Sequence, residues 1–144
     1  ENQNIYLFFK NIVDKCENPK KIKVTLKIPK NIMFFVKPLA IKRALNNVLS
    51  NAFFYANKKI FITIKKVKSK GTLIIFEDDG PGVPKDKRDD VIKAFYRIDE
   101  SRLSKSANTG LGLTITRNIV SGHGGSLELG SSIYGGLEVK IYLP

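Results

Sequence analysis

Ile22, Val24, Leu26 and Ile28 alternate with Lys23, Thr25 and Lys27, the period-two pattern of a strand with one wet face. Pro29-Lys30-Asn31 is a turn, and residues 32–36 read as a second strand. Pro38 then suits the first turn of a helix, where its missing N–H costs nothing. That helix runs to about Ala56. Its core face is Ile41, Leu45, Val48, Leu49 and Ala52, spaced three and four apart. Ile60, Ile62 and Ile64 alternate with Phe61, Thr63 and Lys65 in a third strand. After the turn Lys68-Ser69-Lys70-Gly71, residues 72–77 form a short apolar strand, the expected centre of a sheet. A glycine-proline loop, Asp78 to Pro84, leads to a short helix over 86–94. Residues 97–109 are polar and aperiodic, a candidate mobile loop. Helix character resumes at Leu111 and fades near Ser121, before Gly122. Residues 126–129 and 137–143 read as two last strands around the turn Ser131 to Gly136. Residues 1–19 read as an irregular or partly helical lead-in.

At 144 residues and 42% apolar content, the chain fits one soluble domain with its own core and no internal boundary. No apolar run reaches the length of a membrane span. The lone Cys16 excludes an internal disulfide framework and a cysteine-based metal cluster, and it fits a reducing compartment. A net charge of +12 would suit a nucleic-acid partner, but 20 of the 25 basic residues are lysines spread over strand edges and turns. Such a Lys-, Asn- and Ile-rich bias is what AT-rich coding produces. No nucleic-acid motif accompanies it, so no nucleic-acid role is expected.

Four segments carry candidate chemistry. Asn47, Asn51 and Tyr55 are four apart and share one face of the long helix. A carboxamide oxygen can ligate a hard cation such as Mg²⁺, and a phenol ring offers a flat face to a base. The alternative is a solvated polar face. Asp78-Asp79-Gly80-Pro81-Gly82-Val83-Pro84 follows a buried strand. Its glycines allow close approach, and a carboxylate there could accept from an exocyclic amine; an ordinary turn is the alternative. Thr109-Gly110-Leu111-Gly112-Leu113 feeds a helix whose N-terminus favours a phosphate, although it matches neither a dinucleotide fingerprint nor a P-loop. Phe95-Tyr96-Arg97, with Arg102 and Lys105, would place cations beside such a loop. His123, in Gly122-His123-Gly124-Gly125, reads as a turn or helix-cap residue.

In this order the four segments resemble the boxes of the ATP-binding catalytic domain of bacterial two-component sensor histidine kinases, within the GHKL superfamily of gyrase, heat-shock and mismatch-repair ATPases. The resemblance covers about residues 20–144. It implies an α/β two-layer sandwich, a mixed sheet packed on three helices with a mobile ATP lid. It also implies roles. Asn51 resembles the Mg²⁺ ligand, Asn47 its phosphate-side companion and Tyr55 a ring beside adenine. Asp78 resembles the adenine-reading carboxylate, with Gly80, Gly82 and Val83 lining the way in. Phe95 matches the phenylalanine box. Arg97, Arg102 and Lys105 resemble lid cations near the phosphates, and Thr109, Gly110, Leu111, Gly112 and Leu113 the phosphate-facing segment. Two positions depart from the family pattern. Phe54 stands where a basic residue usually contacts phosphate, with Lys42, Arg43 or Lys105 as candidate substitutes. Asn108 stands where a glycine usually opens the last box.

Hydrolases of the superfamily carry Glu where this chain has Asn47. A carboxamide cannot take a proton from water at neutral pH. The resemblance therefore implies phosphoryl transfer from Mg-ATP to a histidine on a separate dimerisation domain, which then serves a response regulator. The chain is expected to be a cytoplasmic fragment, without a membrane segment, of a membrane-anchored kinase. A degenerate, non-catalytic nucleotide-binding or protein-interaction module is the alternative.

Overall fold

The computed structural model describes residues 1–67, 71–82 and 110–144, the side chains of 110–114 excepted. The expected short helix over 86–94, the lid and the turn at 68–70 lie outside the described residues.

The presumed lead-in is built structure. Strand β1 (Asn2–Asn4) leads directly into helix α1 (Ile5–Lys15). Asn4 caps α1 by accepting from the Leu7 N–H at 3.0 Å. Ile5, Phe9 and Ile12 lie on one helical face and are buried. Strand β2 (Lys23–Lys27) follows, then β3 (Met33–Phe35). β3 does not join the main sheet. It pairs antiparallel with β1, Asn2 opposite Phe35, in a two-stranded ribbon.

Helix α2 (Pro38–Tyr55) begins at Pro38 as the sequence predicts and buries Ile41, Ala44, Leu45, Val48, Leu49 and Ala52. Each large aliphatic side chain so buried contributes about 1.5–3 kcal/mol. Strands β4 (Lys59–Lys66) and β5 (Thr72–Asp78), helix α3 (Gly110–Gly122), and strands β6 (Ser126–Ser131) and β7 (Leu137–Leu143) complete the described chain.

The main sheet has the order β2-β4-β5-β7-β6, so β5 is central. β2 and β4 run parallel and the other neighbours antiparallel, making the sheet mixed. Ile60, Ile62, Ile64, Ile74, Phe76, Val139, Ile141 and Leu143 meet the buried faces of α1 and α2, with Val120 of α3, in one core. Among the described residues the two layers are thus a sheet and three helices.

Candidate functional site

α2 and α3 are tied at two points. The Thr116 hydroxyl donates to the Ala44 carbonyl at 3.0 Å, and Thr116 is fully buried. The Lys37 N–H donates to His123 Nε2 at 3.1 Å, while His123 Nδ1 lies 2.9 Å from the Ile119 carbonyl. His123 therefore joins the C-terminal end of α3 to the start of α2, in keeping with a helix-cap role. The two ties are seven residues apart on each helix and run in opposite senses. Carried further, this antiparallel register runs α2 from Ala44 toward Asn51 as α3 runs back from Thr116 toward its N-terminal end.

Asn51 is 6% exposed, and its Oδ1 has no hydrogen-bond partner among the described residues. An unpaired buried carbonyl oxygen costs about 1–3 kcal/mol. A cation or its water would satisfy it, and the start of α3 brings free N–H groups suited to an anion. Asn47 lies half-buried one turn back, and Tyr55 half-buried one turn on, where burial pushes its phenol up. Among the described residues, no cluster of three or more His, Cys, Asp or Glu could hold a metal. The carboxamide fits a Mg²⁺ ion that keeps most of its own water.

Asp78 ends β5 and is 4% exposed. Its Oδ1 accepts from the Gly80 N–H at 2.9 Å and the Leu137 N–H at 3.3 Å. Among the described residues none donates to Oδ2. Burial pushes this carboxyl up; the Gly80 and Leu137 N–H groups pull the other way, and the charge of Asp79 adds to the rise.

Gly80 joins this carboxylate to the helix stripe. A Cβ there would run into the Tyr55 carbonyl oxygen and lie 2.9 Å from its carbonyl carbon. Gly80→Ala is expected to lose about 1–3 kcal/mol of stability in a urea titration, because both obstructing atoms are backbone at a helix end. Gly82 has φ +72, a left-handed conformation glycine adopts at no steric cost.

Asp79 has a role that sequence reasoning missed. It accepts from the Asn57 N–H at 2.8 Å and the Lys58 N–H at 3.0 Å, and its carbonyl accepts from Asn57 Nδ2 at 2.8 Å. It thereby pins the loop to the turn between α2 and β4. Slight burial acts to raise its pKa. The N–H groups of Lys58, Lys59 and Asn57 outweigh that and hold it below the usual carboxylate range. A lowered folded-state pKa gives stability that is present above the unfolded value and lost as pH falls through the folded one. Asp79→Asn should therefore be less stable than wild type at neutral pH, with the difference shrinking in acid. Urea titrations at the two pH values check this.

The Phe54 ring lies edge-on to the Tyr55 ring, centroids 4.9 Å apart. With Phe53, Asn46 and Ser50, Phe54 lines a cleft of about 420 Å³ against residues 15–20. The cation beside it is Lys20, which was not anticipated: its Nζ donates to the Phe54 carbonyl at 2.5 Å and the Ala56 carbonyl at 3.3 Å, and sits 5.9 Å from the Phe54 ring. Lys20 thus caps a helix end that has no basic residue in its last turn. Of the proposed substitutes, Lys42 is half-buried and Arg43 exposed on α2. Val83, Phe95, Arg97, Arg102, Lys105, Asn108 and Thr109 lie outside the described residues. Gly110, Leu111, Gly112 and Leu113 form the first turn of α3.

Residues 36–144 match the family described as histidine kinase-, DNA gyrase B-, and HSP90-like ATPase. Over 107 residues the chain is 39% identical to the sensor histidine kinase CpxA of Escherichia coli, covering 74% of this chain and 23% of that protein. Over 113 residues it is 34% identical to the signal transduction histidine-protein kinase ArlS of Staphylococcus aureus, covering 78% and 25%. The chain thus spans about a quarter of the length of the curated relatives it matches. Among solved structures, the mycobacterial sensor histidine kinase MprB superposes with TM-score 0.83 at 22% identity, over 100% of this chain and 96% of that one. The ATP binding domain of PrrB from Mycobacterium tuberculosis gives 0.77 at 22% identity, over 99% and 95%. These two likenesses establish the fold. On the match over residues 36–144, the chain belongs to the family of histidine kinase-, DNA gyrase B- and HSP90-like ATPases.

Proposed function

We propose that the chain binds Mg-ATP and donates the γ-phosphoryl group to a histidine on a separate helical dimerisation domain of a sensor histidine kinase. The observation that carries this reading is the orphaned, buried oxygen of Asn51, Oδ1, on α2. Asn51 would hold Mg²⁺, which would offset phosphate charge. Asp78 Oδ2 accepts from the adenine amine, with the Tyr55 ring, Gly80, Gly82 and Val83 around the base. Phosphates lie toward Asn47, Thr109, Gly110, Leu111, Gly112 and Leu113. Phe95 supports the lid, and Arg97, Arg102 and Lys105 stabilise charge on the transferring group.

Catalysis in this scheme is positioning plus charge stabilisation, because Asn47 offers no base for water. The phosphorylated partner domain then serves a response regulator. In the parent kinase this chain belongs on the cytoplasmic side of the membrane. Among the described residues no helix is long and apolar enough to cross one. Calorimetric titration of ATP with and without Mg²⁺ tests the binding step. The expected result is tight binding only with the ion; equal affinity in both would count against it.

A further inference from the structure

We propose that Ser132 is a positioning residue for Asp78: it latches the β6–β7 turn to β5 so that the Leu137 N–H fixes one carboxylate oxygen and leaves the other for the nucleobase. The inference rests on the adenine-reading role of Asp78, but its first test does not.

Residues 132–136 look like an ordinary hairpin turn in the sequence. In the fold this turn forms the far wall of the loop at 78–82. Ser132 is 8% exposed. Its hydroxyl donates to Glu77 Oε2 at 2.8 Å and accepts from the Tyr134 N–H at 3.0 Å. The ring of Tyr134 reaches across the sheet to stack on Phe61 of β4, centroids 4.0 Å apart and 13° from parallel. The turn is thereby held at two places, on β5 and on β4.

The result is a close approach on the other side. The Gly136 N–H donates to the Asp78 carbonyl at 3.2 Å, and a Cβ on Gly136 would strike Asp78 Oδ1. A Cβ on Gly82 would lie 3.3 Å from the Gly135 carbonyl oxygen. Releasing the turn withdraws the Leu137 N–H, one of the two donors that oppose the rise in the Asp78 pKa. Other groups around this carboxylate are few among the described residues. Asp79 is on its own loop, Tyr55 closes the α2 side across Gly80, and Ile60 pairs with it on β4. Glu77 and Glu138, paired across β5 and β7, point from the opposite face.

The test is a carboxyl-carbon NMR titration of Asp78 in the ligand-free chain, for wild type, Ser132→Ala, Ser132→Thr and Tyr134→Ala. The midpoint should move up in Ser132→Ala, less far in Tyr134→Ala, and return in Ser132→Thr. An unchanged midpoint in a folded Ser132→Ala protein would overturn the proposal. If that variant does not fold, Tyr134→Ala, altered at an exposed ring, carries the same test. ATP affinity should fall in parallel by about two- to tenfold, the worth of one hydrogen bond. A moved midpoint with unchanged ATP affinity would support the latch and overturn the adenine-reading role of Asp78.

Discussion

Asn51→Ala is expected to abolish Mg²⁺-dependent ATP binding while leaving the free protein close to wild type in stability. The two halves have one cause. In the ligand-free chain the Asn51 oxygen is buried and unpaired, a state that costs about 1–3 kcal/mol. Truncation removes that cost and adds a small void, and the two offset. With nucleotide present the same oxygen is the proposed ligand, so its loss is uncompensated. An affinity drop of about a hundredfold or more, near 2.7 kcal/mol, is expected in calorimetry with Mg²⁺. ATP binding that stays Mg²⁺-dependent in the variant would remove Asn51 from the metal site.

Asp78→Asn should separate stability from binding in a second way. An Asn carbonyl can still accept from the Gly80 and Leu137 N–H groups, so the local bonds survive. The buried charge disappears. A carboxyl whose folded pKa is raised favours folding below its unfolded pKa and loses that contribution as pH rises through the folded value. At neutral pH the variant should therefore unfold at a higher temperature than wild type. Binding changes in the opposite direction. In the proposed pose the new amide N–H₂ would face the adenine amine, donor against donor. A bond to a charged acceptor is worth about 1.5–3 kcal/mol, so ATP affinity should fall about ten- to a hundredfold. Guanine presents a carbonyl at that position, so preference for ATP over GTP should narrow. A variant that binds ATP as wild type does would remove Asp78 from base recognition.

The elements that could be read from the sequence were those whose periodicity is local. The α2 core face and the alternation of β2, β4 and β7 need no long-range information. Helix α1 carried a readable signal too: Asn4 as cap, then Ile5, Phe9 and Ile12 on one face. It was obscured by the polar residues around it and by its short length. Strand β3 has strand character but pairs with β1, and local pattern does not encode a partner.

The same division holds in the site. The carboxamide stripe is a helix-face property, so spacing alone exposes it. The Asp78 carboxylate is set by a turn more than fifty residues away in sequence, through β5–β7 pairing that no local motif specifies. Asp79 looks like its neighbour in a generic Asp-Gly turn. Only the fold reveals that one carboxylate is buried facing the site and the other spends its oxygens on backbone. Phe54 looked like a missing cation; its ring packs edge-on against Tyr55, the residue also lines the cleft against residues 15–20, and Lys20 caps the helix end beneath it.

The central claim is that this site holds ATP for transfer and not for hydrolysis. The most direct measurement follows the γ-phosphate of labelled Mg-ATP, with the chain alone and with a phosphoacceptor helical domain added. The account predicts little free phosphate from the chain alone, and acid-labile phosphohistidine on the added domain. Steady release of inorganic phosphate by the chain alone, with none on the domain, would contradict it.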